Sequence, residues 1–437
     1  MKTCLKIVAV LALVLIAATP FFIGMGVEYG FNLAVRALQA QPQVALGETT
    51  FKRGYLSSKI HMDFNLLLET QPQPLTLDVQ VQHGPLLMGP SLAFGLLGMA
   101  GEIKAVAVTP QLTISSLDQP IYSWAGNVGA TGTGTFNDKY NPITLNFTQG
   151  EMQWSRGEGS GRLDVHLKRI DYEGHLAQLS WQSPDVVIQL ADANIAKQIV
   201  LSPAGLTWFS RAAFKAMNAQ WNGERYWLKS GALGISRTDQ AATERWQVSL
   251  VAEDFKSDSM QLTSLDANLA LDQMPTSLVP ALASLMLSHG NDATFHQQAR
   301  ELSREYSGSS HASLLIERFG ALQEGKSFWF SASANLEHLL GLPENAWQDP
   351  QNLLSQLVAS GEIHLQKELL RDWVQAYLAA HNSPGNQPSF SAAQIDVFTQ
   401  AFMGQGMLSD EGSMYGSKLK FNAGDITLND KPMALPF

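Results

Sequence analysis

The residues best able to do chemistry in this chain are histidines, carboxylates and glycine-rich turns, and spacing decides how each is read. His289, His296 and His311 fall within a short span, but no two share a helical turn and no His-Glu-x-x-His is present. The ligand pattern of a zinc hydrolase is therefore missing. Glu301 and Glu305 stand four residues apart with Arg300 and Arg304 beside them, which reads as a solvated helix face. Gly129-Ala-Thr-Gly-Thr-Gly134 has the glycine content of a phosphate loop. It lacks the Lys-Ser/Thr that follows in such loops and runs into strand-like sequence, so it predicts a turn or bulged strand. No Gly-x-Ser-x-Gly elbow occurs, and Asn146-Phe-Thr148 carries only the acceptor pattern of glycosylation, within a strand. The single cysteine, Cys4, precedes everything that could form an exported body, leaving that body without a disulfide. The sequence predicts no catalytic residue, no cofactor-binding residue and no metal ligand.

What positions the rest is the N-terminus. Residues 7–27 carry no charge, and Lys2 and Lys6 stand just before them. At about 1.5 Å per residue such a helix spans roughly 30 Å, the thickness of a bilayer's hydrocarbon core. Pro20 kinks a membrane helix without excluding it. A cleaved secretory signal shares the charged start and apolar run. Here the run exceeds the ~7–15-residue signal core and no small-x-small site follows it directly, so an uncleaved anchor is predicted. The lysines keep residues 1–6 cytoplasmic and place the remainder outside. Over residues 28–42, Val27, Phe31, Ala34, Val35 and Leu38 continue one helical face until Gln41-Pro42. That face predicts a stalk packed on the body or, alternatively, a dimerising surface.

Beyond it lies a body of residues 43–437, with 45% hydrophobic and 16% charged residues in the chain and a net charge of −10. Such a composition folds, and its acidity argues against nucleic acid as a partner. From 43 to 272 the period is two. Ile60, Met62, Phe64, Leu66 and Leu68 alternate with polar residues, as do Leu75, Leu77, Val79 and Val81, and 143–147, 163–167, 246–250 and 265–271 follow suit. Strands with one dry face are predicted, joined as antiparallel hairpins at breaks such as Asn137-Asp138 and Asn222-Gly223. From 273 to 405 the period shifts toward 3.6. Helices are predicted at 275–290, 295–308, 310–325, 350–359, 367–381 and 391–403, with strands at 328–336 and 361–365 among them. Residues 406–437 return to strands, 415–421 turning into 425–428. The predicted class is α+β and β-dominated. It comprises a large curved antiparallel sheet with helices covering its apolar face, preceded by one N-terminal transmembrane helix.

Two stretches carry a family likeness. Phe51-Lys-Arg-Gly-Tyr-Leu-Ser-Ser58, soon after a single apolar N-terminal segment, resembles the "aromatic-x-Arg-Gly-aromatic-x-Ser-Ser" opening of the YdgA-like family of bacterial envelope proteins. Gly406-Met-Leu408, then 415–421, then Asn422-Ala-Gly-Asp-Ile-Thr-Leu-Asn-Asp-Lys-Pro432 is similar to that family's C-terminal hairpin, commonly "Gly-x-Leu-x-Leu-Asn-Gly-Lys-Pro". Asp430 stands where glycine is frequent, a turn position that Asp tolerates. The resemblance implies a Gram-negative inner-membrane protein with a periplasmic body, and it brings no reaction and no catalytic residue. Its motif residues, Arg53, Gly54, Ser57, Ser58, Asn429, Lys431 and Pro432, are expected to be structural, with Arg53-Gly54 at a corner.

The functional expectation is a membrane-anchored envelope protein without enzymatic activity. It would be either a scaffold for another envelope protein or a further copy of itself, or a binder of a hydrophobic, lipid-like ligand on its sheet. The alternative is a periplasmic hydrolase with an unrecognised site.

Overall fold

The computed structural model describes residues 20, 23–36, 38–39, 44–68, 71–84, 86–88, 92–94, 97–129, 131–166, 168–202, 205–221, 223–240, 243–258, 260–275, 312–335, 358–381, 392–422 and 425–433. The chain divides into two compact units, Met1–Leu201 with Ala212–Arg225, and Ser202–Arg211 with Tyr226–Phe437. Each is built on antiparallel strands.

The first unit opens with a helix, α1 (23–36). Its strands are β1 (Val44–Arg53), β2 (Ser57–Leu68), β3 (Gln71–His83), β4 (Leu86–Met88), β5 (Leu92–Phe94), β6 (Leu97–Ala105), β7 (Leu112–Ile114) and β8 (Tyr122–Val128). They continue with β9 (Thr133–Tyr140), β10 (Ile143–Phe147), β11 (Gly150–Trp154), β12 (Gly157–Asp164), β13 (Arg169–Gln182) and β14 (Val186–Ser202); of β15 (Gly205–Trp221), the residues from Ala212 belong to this unit and those to Arg211 to the second. The pairing order β1-β2-β3-β6-β8-β9-β12-β13-β14 is antiparallel at every step. The predicted alternation is met in β2 and β3, where Met62, Leu75, Val79 and Val81 are buried. Leu75, Ala105, Leu112 and Ile143 form one core cluster, with Phe64, Ile103, Leu145 and Trp154 packed against it.

The second unit contains β16 (Glu224–Gln240), β17 (Thr243–Ser257), β18 (Gln261–Pro275), β19 (Ser313–Gln323), β20 (Lys326–Asn335), β21 (Val358–Gln366), α2 (Lys367–His381) and α3 (Ala392–Gly404). It ends with β22 (Ser409–Glu411), β23 (Met414–Asn422), β24 (Asp425–Leu428) and β25 (Lys431–Met433). The order β16-β17-β18-β19-β20-β21-β23-β24-β25 is again antiparallel throughout. α2 covers one end of this sheet. Leu369 is buried, Trp373 meets Phe328 edge-on at 5.5 Å, and its indole donates to Gln323 Oε1 at 2.8 Å.

Several expectations need correction. The helix predicted at 310–325 is strand β19. A bulge between Ile316 and Phe319 inserts an extra residue, so apolar positions fall three apart and imitate a helical period. Pro275, predicted to open a helix, is the last residue of β18 and pairs with Thr243. The end of the helix predicted at 350–359 is strand, since β21 begins at Val358. Asn137-Asp138 is the middle of β9 rather than a turn. The 163–167 strand stops at Asp164, whose carboxylate accepts the His166 amide at 3.0 Å. Of the glycine-rich stretch, Gly129, Thr131 and Gly132 lie between β8 and β9, with Gly132 at φ +75°, and Gly134 is already in β9. Residues 276–311 and 336–357, with their predicted helices, His289, His296, His311, Glu301 and Glu305, lie outside the described residues, as do 1–19. Among the described residues no helix is long and apolar enough to cross a membrane, and most of the predicted span at 7–27 is not among them.

Candidate functional site

The motif residues close two separate corners. In the first unit the β1–β2 turn is tied by the Gly54 amide, which donates to Ser57 O at 2.7 Å, and a β-carbon at Gly54 would stand 2.7 Å from that same oxygen. Only glycine lets the backbone approach so closely. Ser58 is fully buried, and its hydroxyl lies 3.1 Å from Nε2 of His83, itself buried at the end of β3. The His83 amide donates to Leu56 O at 2.8 Å. Arg53 pairs with Glu28 of α1 at 2.7 Å, and Phe31 of α1 stacks on Phe51 with ring centroids 5.4 Å apart. Of the α1 face read from the sequence, Phe31 meets the body at this corner. Although serine and histidine stand within hydrogen-bond reach, both are sealed from solvent, so the pair is a structural lock and offers no nucleophile to a substrate. Ser58→Ala strands a buried ring nitrogen and is expected to cost about 1–3 kcal/mol, measured by chemical denaturation.

In the second unit Asn429 and Asp430 have φ of +49° and +61°, the two left-handed positions of a tight hairpin turn between β24 and β25. Asn429 Oδ1 accepts the Lys418 amide at 2.7 Å and its Nδ2 donates to Gly406 O at 2.9 Å. Lys431 donates to Gln405 O at 3.4 Å and Pro432 pairs with Thr427. The C-terminal hairpin is thereby stitched to the end of α3.

The polar face of the first sheet holds a trough of about 690 Å³ floored by Ala100, Gly101 and Ala125. His61 lies on it, 2.8 Å from Asp78 and 3.3 Å from Asp63. Its hydrogen bond to Asp78 raises the imidazole above its usual value. Both ring nitrogens are engaged, so the histidine is an ion-pair partner there. Among the described residues no cluster of three metal-ligating side chains occurs.

An extended apolar surface lies on the second unit. Register places Ile235, Val248, Leu269, Ile316, Ala332, Gly361, Leu419 and Leu428 side by side across eight strands. On one side runs Leu233, Leu250, Ala267, Phe319, Phe330 and Ile363. On the other runs Trp246, Leu271, Leu314, Ala334, Ala359, Phe421 and Ile426. With strands about 4.8 Å apart the central row is roughly 34 Å long. It is not sealed: Val248, Leu269 and Leu419 are 38%, 43% and 43% exposed, and Leu233 and Leu314 beside them are also exposed. Each strand contributes a single residue to the row, which is why no local pattern in the sequence marks it.

One end of this face carries a buried acid. Glu244 is fully buried, with Oε2 2.8 Å from Arg237 Nε, and Arg237 also reaches Asp239 at 3.0 Å. The Arg237 contact is an ion pair, and the Trp246 indole lies beside the same carboxylate. Burial pushes the carboxyl above its ordinary value of 4.5, while Trp246 and Arg237 pull it down. An acid raised in the folded state stabilises the fold below its unfolded value and loses that contribution as pH rises through the folded one. The second unit should therefore lose melting temperature as pH rises from about 4.5, and Glu244→Gln should flatten that dependence in thermal melts.

A family model, "Bacterial protein of unknown function (DUF945)", matches residues 1–436. No curated protein and no solved structure matches the chain.

Proposed function

The chain belongs to this DUF945 family of bacterial proteins, and from that premise we propose that it is a membrane-tethered envelope protein of the YdgA-like kind that holds a lipid-like ligand on its sheet. The uncharged run at 7–27 behind Lys2 and Lys6 supports the tether and an exported, periplasmic body. The observation that carries the ligand is the half-exposed apolar row of Val248, Leu269 and Leu419 with its two flanking rows. Apolar surface left in water forgoes about 25 cal/mol per Å², and a continuous strip of it marks a binding surface. A row that crosses many strands without a polar interruption fits an extended acyl chain better than a compact polar substrate. Among the described residues no nucleophile and base meet at this face, and the reading is accordingly a binder rather than a hydrolase.

The test is photocrosslinking in cells with the full chain, a benzophenone side chain replacing Leu269 or Leu419, followed by intact mass measurement. Adducts of lipid mass at both positions and none at Asn268, on the opposite face, are expected. Adducts of protein mass alone would replace the lipid by a scaffold partner, and no adduct at either position would overturn the reading.

A further inference from the structure

The corner that carries the Arg53-Gly54 motif sits against the part of α1 that leads back into the apolar run. A β-carbon at Gly24 would stand 2.8 Å from His83 Cε1, 3.1 Å from its Nδ1 and 3.4 Å from Arg53 Cδ, so the corner is in direct contact with the helix at that level. Gly24 lies three residues before Val27, where the uncharged run ends. At 1.5 Å per residue this is about 4.5 Å inside the run. Glu28, the first charge after the run, is neutralised by Arg53 at 2.7 Å.

The surface at this level is apolar and basic in a chain of net charge −10. Tyr55 and Leu56 at the tip of the turn are both 55% exposed. On the solvent side of α1, Met25, Tyr29 and Leu33 recur at i, i+4 and i+8 and are exposed as well. Lys52 and Lys59 face each other across β1 and β2, and among the described residues neither has a carboxylate partner. Two like charges opposed across strands are unfavourable in isolation, and an anionic surface removes the penalty. Tyrosine flanked by lysine and arginine is the side-chain mixture that settles at a membrane–water boundary.

We infer that the Arg53–Ser58 turn rests in the headgroup layer of an anionic bilayer, with Tyr55 and Leu56 entering the interface and Lys52 and Lys59 meeting phospholipid phosphates. The inference rests on the reading of residues 7–27 as a membrane anchor. It gives the motif a task beyond closing a hairpin: the turn orients the body against the membrane that holds the helix.

The experiment uses the full chain carrying Cys4→Ser in vesicles of phosphatidylethanolamine and phosphatidylglycerol. Tyr55→Cys or Leu56→Cys is labelled with an environment-sensitive fluorophore and quenched by lipids spin-labelled near the headgroup. Leu117→Cys, in the loop beyond the far ends of β6 and β7, is the reference, being itself exposed. Quenching at 55 and 56 at least twice that at 117 is expected, weakening when phosphatidylglycerol is replaced by phosphatidylcholine. If the protein floats with the vesicles but all three positions quench alike, the corner proposal is overturned and the anchor stands. If the protein does not float, the anchor reading falls and the proposal with it. Quenching that ignores lipid charge would remove the phosphate contacts.

Discussion

Replacing Leu269 with glutamate is expected to lower the lipid-mass photoadduct formed at position 419 by about tenfold or more, equivalent to at least ~1.4 kcal/mol of binding. Leu269 is the third of the row's eight residues, between Val248 and Ile316, where a ligand lying along the row crosses it. Its side chain is 43% exposed, so the glutamate remains solvated in the empty protein and the fold is little disturbed. A bound acyl chain would strip water from that carboxylate, and burying a charge without a partner is far costlier than losing a methyl contact. Leu269→Ala separates the two effects. It removes apolar area alone, and because only the exposed 43% of the side chain can newly meet a ligand, three carbons at ~0.8 kcal/mol each when fully buried come to about 1 kcal/mol, a few-fold loss of adduct. Equal adduct yields for the wild type and Leu269→Glu would show that the ligand does not use the row.

How far such a surface can be foreseen depends on the range over which its residues are connected. Ile60 to Leu68 and Leu75 to Val81 were legible as strands because alternation is local and both have a wet face. α2 occupies the stretch where Leu369, Leu370 and Trp373 recur at helical spacing, and the C-terminal hairpin turns where Asn, Gly and Asp cluster. β19 imitates a helix in sequence because a bulge alters spacing without altering composition. The Ser58–His83 lock joins residues 25 apart, and the apolar row joins residues from 235 to 428. Both exist only once register is fixed, and register is set by pairing across the sheet rather than by any one strand. The motif glycine and arginine could be assigned to a corner from their types, whereas their contact with α1 could not.

The same dependence on register hides the second large effect. The sequence pattern puts Asp138 in a turn, yet it is buried at 3% exposure in the middle of β9. Its carboxylate accepts hydrogen bonds from Tyr122 at 3.1 Å, Tyr140 at 3.1 Å and Tyr172 at 3.2 Å. The Tyr172 ring reaches it over Gly159 and Gly174, which lie beneath it; at Gly159 a β-carbon would also stand 2.7 Å from Asp138 Oδ1. Removing all three donors, in Tyr122→Phe with Tyr140→Phe and Tyr172→Phe, leaves a buried carboxylate bare and is expected to cost about 3–5 kcal/mol. Asp138→Asn keeps an acceptor and should cost about 1 kcal/mol. Hydrogen–deuterium exchange across β8, β9 and β13 reads both, because it isolates this unit from the other. A pH signature accompanies it. Burial first, then the Asp138 charge or the neighbouring tyrosine hydroxyls, pushes Tyr122, Tyr140 and Tyr172 above the ordinary tyrosine value of 10.0. Acids raised in the folded state stabilise it fully below their unfolded value and lose that contribution as pH rises through the folded one. The first unit should therefore lose stability from about pH 10 upward, with the tyrosinate absorbance of these rings appearing together with unfolding. Tyrosinate formation near pH 10 that is lost in the triple Tyr122→Phe, Tyr140→Phe, Tyr172→Phe variant, in a unit whose amides remain protected, would show that the three hydroxyls are not held by Asp138.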